Sequence, residues 1–433
     1  MKRSLFVFMI IPILLSPAFA EGKQESKEGP VVLTGMVRDY TLRQEAPWTS
    51  AIKVFQEKHP NVTIKLEGLP YDDQRVKVLT TVAAGKGPDI VQTDCIWLGE
   101  FASSKILIDL SDRLAADAAL RDDYLPVFFE ASKWQGKVYG LWLNSDVRML
   151  GYHKDLFVKA GLDPNKPPAT WKELREYAKK LTNPAEGVWG YGFNAFSTDH
   201  TADRWYPFLY MKGGSILTSD YTKAAFNGPA GVEALQLLVD LMNTDKASPP
   251  DLLGAKESDL PKAFVAKKYA MMIRVGDFWP DFKRAGYTMD AYKAQVGMAP
   301  LPIPDGGKPA TGSGGWILGI TRDSKNPDIA YDFLKLVVSP DNVLPFLAER
   351  AMVPTRKSLM QREQEFLQAV PFFKVVRQVT PFTFFRPPIP EYSKISAEIV
   401  NAIQKALALQ ASPKEALDQA ASAVDNILSR RTW

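Results

Sequence analysis

The chain of 433 residues holds one cysteine, Cys95, which excludes any internal disulfide. It holds three histidines, His59, His153 and His200. They stand far apart and show no metal-ligand spacing, so neither a metal nor another cofactor is expected. Charge of one sign is also scarce: 53 Lys and Arg against 49 Asp and Glu, a net charge of +4, mixed along the sequence. That balance gives no nucleic-acid footprint. No internal repeat is present. Past the first twenty residues no stretch is long and apolar enough to span a membrane. A chain of this length buries enough core without disulfide staples, and it suggests two or three domain-sized units.

What is present begins with MKRSLFVFMIIPILLSPAFA. Lys2 and Arg3 form a basic start, Leu5 to Leu15 an apolar run, and Ala18-Phe19-Ala20 an A-x-A cleavage site. Residues 1–20 are therefore expected to be a cleavable signal peptide, with a membrane anchor as the rival reading. No cysteine is available for lipidation there, so the mature chain is expected to start at Glu21, in the periplasm. EGKQESKEGP, residues 21–30, is charged and lacks apolar residues, as a flexible tether does.

Beyond the tether the pattern alternates. Val31 to Met36 reads as a strand. Trp48, Ala51, Ile52 and Phe55 recur at helical spacing, and Val62, Ile64 and Leu66 alternate as a strand does. Val76, Leu79 and Ala83 give a second helix ending at Gly85. Asp89 to Thr93 is a short buried strand after Gly87-Pro88. This βαβαβ rhythm predicts an α/β lobe with a mostly parallel sheet. The middle is more helical. Thr170-Trp171-Lys172-Glu173 is a capping box ahead of the apolar face Leu174, Tyr177, Ala178 and Leu181. Val232 to Met242 is a strongly apolar helix. Asn326-Pro327 and Ser412-Pro413-Lys414-Glu415 start two more.

Five motifs carry a resemblance, in one order along the chain: GKGPDIVQTDCIW (Gly85 to Trp97), WLNSDVRMLGYHKDLFVKAGL (Trp142 to Leu162) with TWKEL after it, AFVAKKYAMMIRVGDFW (Ala263 to Trp279), GSGGWILGI (Gly312 to Ile320) and SPKEALDQAASAVDNIL. Together they resemble the extracellular solute-binding proteins that serve sugar ABC importers, nearest to the trehalose/maltose-binding branch. The resemblance implies an α/β, periplasmic binding protein-like fold (type II). Two α/β lobes would be joined by a hinge with a ligand cleft between them. Residues 31–145 and 300–324 would form the N-terminal lobe, and 146–299 and 325–433 the C-terminal lobe. It further implies a monomer that hands a sugar, such as the disaccharides trehalose or maltose, to membrane permease subunits.

A sugar needs donors and acceptors for its hydroxyls, and aromatic rings for its C–H faces. The resemblance places Asp94, Asp146, Arg75 and Arg386 among the polar contacts. It makes Trp279 and Trp316 the stacking rings, and Gly315 a point of close backbone approach. Gln44 and Asn144 stand where the branch has glutamate and an aromatic, which leaves the sugar's identity open. Each position has a plainer role beside it. Asp94 could cap a helix, Asp146 could pair with Arg148, Arg75 could lie on a solvated helix face, Arg386 could form a structural salt bridge, and either tryptophan could be core. Two other functions stay open: the same fold for a non-sugar solute such as glycerol phosphate or a polyamine, and a secreted glycoside hydrolase using Asp94 and Asp146. An arginine beside each carboxylate would keep it ionised, which argues against a general acid. The chain is therefore expected not to be an enzyme.

Overall fold

The structure, a computed structural model, describes residues 29–38, 47–369 and 372–431. The signal segment 1–20, most of the tether and Gln44 lie outside the described residues.

The chain first lays down β1 (Val31–Arg38), β2 (Val62–Leu69), β3 (Ile90–Asp94) and β4 (Leu141–Ser145). It crosses over and lays down β5 (Arg148–His153), β6 (Trp189–Gly192), β7 (Tyr269–Val275) and β8 (Val296–Ala299). It returns through β9 (Thr311–Ser313) and β10 (Gly315–Ile320), and later adds β11 (Thr383–Phe385). Two sheets result, ordered β2-β1-β3-β10-β4 and β8-β5-β7-β6, with β9 and β11 paired as a ribbon. Each sheet organises one α/β lobe.

The βαβαβ run forms as its spacing predicts, with β1 parallel to both β2 and β3. The first sheet as a whole is mixed, because β10 runs antiparallel to both β3 and β4. That strand enters from the hinge end, opposite to the strands of the opening run. In the second sheet β6 is parallel to β7, while β5 is antiparallel to β7 and β8.

Helix α1 (Trp48–Lys58) buries Trp48, Ala51 and Phe55. Helix α2 (Tyr71–Ala83) stops before Gly85, whose φ of +67° suits glycine. Its buried face differs from the one the apolar spacing picks out. Gln74, Val78 and Val82 point inward, while Val76 is exposed. The polar residue turns in because the Gln74 amide donates to the Gln92 carbonyl of β3.

In the second lobe α3 (Trp171–Leu181) starts on the expected capping box. Thr170 Oγ1 accepts from Glu173 N at 3.1 Å, and Glu173 accepts from Thr170 N at 3.2 Å. Such a cap contributes about 1 kcal/mol. Helix α4 (Asp199–Met211) is buried on every side from Thr201 to Leu209, as the central helix of a lobe is. Helices α5 (Pro229–Val239) and α7 (Tyr392–Leu407) pack on it, and α8 (Pro413–Ser429) packs on those two.

Two stretches depart from the expected division into lobes. Helix α6 (Pro327–Val337) packs on α1 and the first sheet, with Phe333 set against Phe55 at 5.3 Å between ring centroids. Asn342 then donates to Pro47 O at 2.8 Å, and Val353 exchanges backbone bonds with Ser145. Residues 327–353 thus contact the first lobe, while Arg350 O accepts from Asp277 N at 3.1 Å and Phe372 packs on Tyr292 at 5.7 Å in the second. Conversely, residues 300–310 stay with the second lobe, where Ile303 O accepts from Trp171 N and Met211 O accepts from Lys308 N. An amphipathic segment signals in its sequence that it covers a sheet, but not which sheet.

Candidate functional site

The lobes meet at the β4–β5 crossover and the β9–β10 turn. Thr311 Oγ1 accepts from Arg148 N and donates to Arg148 O, both at 2.8 Å. Ser313 Oγ lies 2.8 Å from Ser145 Oγ and 3.0 Å from Asp146 O. A cavity of about 780 Å³ opens at this junction. Such a volume lies within the range of small-molecule clefts, roughly 300–1,000 Å³.

The first lobe contributes strand ends. Asp94 closes β3 with its carboxylate in the cavity wall. It accepts from Ile96 N at 3.2 Å, so the capping role is present, and also from Tyr71 OH at 3.1 Å. Burial pushes its carboxyl up from the ordinary aspartate range, against the pull of Arg386 and the Ile96 N–H. Trp316 lies beside Asp94 on β10, its ring edge-on to Tyr71 at 6.0 Å and to Trp97 at 6.3 Å. The Arg38 guanidinium sits over both Tyr71 and Trp316, 5.2 and 5.3 Å from their centroids.

Two glycines let the wall form. Gly315 has φ +139°, and a Cβ there would meet Asn144 O at 2.1 Å. A Cβ at Gly314 would lie 2.8 Å from Arg386 Nη2 and 3.4 Å from Arg148 Nη2. Gly314 N instead donates to Asp146 Oδ1 at 2.9 Å.

The second lobe contributes an ion network. Arg148, at the start of β5, donates to both oxygens of Asp203 (2.8 and 2.7 Å), to Asp146 and to Gly312 O at 3.0 Å. Asp203 also accepts from Arg204. Burial pushes the Asp203 carboxyl up, but Arg148, Arg386 and Arg204 outweigh it and hold it well below the usual range. Arg386 pairs with Asp199 on α4 and lies 3.5 Å from Asp94, so one guanidinium touches both lobes. Glu257 accepts from Arg204 and Asn194 and lies 2.7 Å from His200 Nδ1. Burial raises its carboxyl, but His200 and Arg204 bring it down to about 2.

The structure thus brings Asp94, Asp146, Gly315, Trp316 and Arg386 to one cavity. It places three other candidates elsewhere. Arg75 Nε donates to Glu100 at 2.7 Å beside a second cavity of about 240 Å³ behind Tyr71. Asn144 is fully buried in β4, its amide 3.8 Å from Met352 Sδ. Trp279 packs on Tyr292 at 5.7 Å, and its backbone N–H donates to Asp277 Oδ1 at 2.7 Å. Residues of the wall that the sequence reading passed over include Tyr71, His200, Asp203, Arg204, Glu257 and Arg274. One signal was available: Asp203 and Arg204 stand directly before the apolar run WYPFLYM in the helix DHTADRWYPFLYM. Among the described residues no cluster of three or more potential ligands is placed to hold a metal ion.

Comparison with known proteins bears on this geometry. The family model described as bacterial extracellular solute-binding protein matches residues 39–343. The chain is 30% identical to a solute-binding protein of Thermotoga lettingae bound with alpha-D-tagatose, with a TM-score of 0.83 over 92% of this chain and 100% of that one. It is 26% identical to maltose-bound MalE3 of T. maritima, with a TM-score of 0.81 and coverage of 92% and 100%. The arabinooligosaccharide-binding protein of Bacillus subtilis (strain 168) is 25% identical, covering 97% of this chain and 99% of its own.

Proposed function

The chain belongs to the bacterial extracellular solute-binding proteins, and from that premise we propose that it captures a sugar between its lobes and delivers it to an ABC transporter permease. The observation that carries the reading is the cavity at the hinge, walled by polar side chains from both lobes. Arg386 is set between Asp94 of one lobe and Asp199 of the other, so closing or opening the lobes must remake that contact. A permease would read that difference. The neighbours bound with tagatose and with maltose support a sugar as the solute class, and a volume of about 780 Å³ suits a disaccharide. The polar contacts we assign to it are Asp94, Asp146, Gly315 and Arg386, with Trp316 as the stacking ring.

The family works outside the cytoplasm. The A-x-A signal supplies the route in this reading, releasing an unacylated chain from Glu21, and N-terminal mass analysis of exported protein tests it. Sugar capture is tested by a thermal-shift screen against neutral and charged mono- and disaccharides. A ligand that binds only the folded chain stabilises it by about 2.7 kcal/mol at a hundredfold excess over Kd. A screen in which no sugar moves the melting temperature rejects the reading. Chromatography of a bound sugar after long incubation should return it intact.

A further inference from the structure

We propose that His200 contacts the captured sugar, its Nε2 accepting from one hydroxyl, with Glu257 as the positioning residue that sets the ring's tautomer; this rests on the sugar-capture reading above. His200 stands in the first turn of α4 and Tyr71 in the first turn of α2. Their rings meet across the lobes, 5.1 Å between centroids. Both line the main cavity, and His200 has no part in the smaller one behind Tyr71. The histidine side chain keeps 23% of its surface open. Tyr71 does not serve it as a donor, because the one phenolic O–H is given to Asp94.

The tautomer follows from the neighbour. His200 Nδ1 lies 2.7 Å from Glu257 Oε2. Burial raises the Glu257 carboxyl, but His200 and Arg204 bring it down to about 2, so it is ionised and offers only lone pairs. A lone pair on Nδ1 would repel it at that distance, so Nδ1 carries the proton. The carboxylate is itself held in place: Oε1 accepts from Arg204 at 3.2 Å and Oε2 from Asn194 at 3.0 Å. In the neutral ring Nε2 is then the acceptor. Among the described residues nothing bonds to Nε2, and it is not one of the buried polar atoms left without a partner. It therefore opens on solvent, where His200 lines the cavity.

A sugar brings hydroxyl donors that need acceptors. The four carboxylates of the wall each accept within the chain already. Asp94 does so from Ile96 N and Tyr71 OH, and Asp146 from Gly314 N and Arg148. Asp203 accepts from Arg148 and Arg204, and Glu257 as described above. His200 Nε2 starts with no partner, so a hydroxyl bound there breaks no contact of the wall. It also discriminates. A single lone pair on a ring fixed by Glu257 and Tyr71 asks for a hydroxyl at one place, and an analogue lacking that hydroxyl leaves the nitrogen unpaired.

The test is calorimetry of the mature chain at about pH 8, above the ordinary histidine value of about 6.5, with tagatose, maltose, trehalose and arabinobiose as probes. His200→Phe keeps a ring against Tyr71 and removes both nitrogens. It should bind the preferred sugar about tenfold or more weakly, the scale of one hydrogen bond left unmade. Among the monodeoxy analogues of that sugar, one should lose about tenfold on the wild type yet bind His200→Phe within about twofold of its parent. A measurement on the wild type needs no variant to fold. Long-range 1H–15N spectra of its three histidines should show His200 with the proton on Nδ1 and an Nε2 signal that moves when sugar is added. His153, whose Nε2 lies 2.7 Å from Phe264 O, carries the opposite tautomer and serves as the internal reference. In Glu257→Ala the His200 ring should lose its fixed tautomer, a signature that a purely structural carboxylate would not control. Equal discrimination among the analogues by wild type and His200→Phe, or a His200 Nε2 signal that sugar leaves unmoved, would overturn the inference and leave sugar capture standing. Binding of none of the four sugars would overturn both.

Discussion

Asp94 and Asp203 are both buried aspartates of the cleft wall, one from each lobe, and burial pushes both carboxyls upward. Asp94 ends above the ordinary aspartate range and Asp203 well below it. The difference lies in the company each keeps. Asp94 has one guanidinium within reach, Arg386 at 3.5 Å. Asp203 has Arg148 and Arg204 in hydrogen-bond contact and Arg386 at 3.9 Å. Desolvating a charge costs several kcal/mol, and only close, well-aligned partners offset it. The first wall is thus loosely compensated, with capacity left for a ligand, while the second is an internally satisfied scaffold.

The sharpest way to break that contrast is to remove Asp203. Asp203→Ala leaves Arg148 buried opposite a void and should cost about 3–5 kcal/mol of stability in urea denaturation. A loss below about 1 kcal/mol would mean that the second wall is no scaffold. The first wall should fail in binding instead. Trp316→Ala removes the ring under Arg38 as well as the stacking face, and should cost on the order of 2–4 kcal/mol of affinity by calorimetry. Trp279→Ala, whose ring packs on Tyr292, should leave affinity within about threefold of wild type, well under 1.4 kcal/mol.

The pH dependence should separate the walls by sign. Asp94 holds its proton more tightly folded than unfolded, so it costs stability as pH rises through its folded pKa. Asp94→Asn should therefore gain on the wild type between pH 4 and 7, with a difference of about 1 kcal/mol or less, the scale of one hydrogen bond. Asp203 holds its proton less tightly folded, so its contribution is present above the unfolded value and lost below it. The deficit of Asp203→Asn should accordingly be largest at neutral pH and shrink on acidification below about pH 4. Denaturation curves at three pH values decide both signs, and like signs would dissolve the comparison. The smallest effect is expected at Arg75, whose partly exposed pair with Glu100 lies off the main cavity. Arg75→Ala should cost no more than about 1 kcal/mol and leave affinity unchanged.

The opening βαβαβ run and the Thr170–Glu173 capping box were legible in the sequence because each is set by near neighbours along the chain. Asp94 and Trp316 were legible because each ends or begins a strand at the hinge. Trp279 misled for the same reason. The junction Gly276-Asp277-Phe278-Trp279 marks a turn, but whether the ring faces the cleft or Tyr292 is decided by a helix more than ten residues later. The Arg148–Asp203 pair was illegible as a pair because its members lie 55 residues apart on different elements. The burial of α4 is what makes the pairing obligatory.

The place of β10 has a consequence for how the protein is made. This strand, residues 315–320, sits between β3 and β4. Until it emerges, the first 145 residues hold one sheet fragment and one orphan strand, with a gap where the middle partner belongs. The N-terminal lobe therefore cannot finish before about three quarters of the chain has been synthesised. Pairing strands so distant in sequence is slow, because a large loop must close before the contact gives any return. That delay leaves the first sheet without its middle partner until late in synthesis.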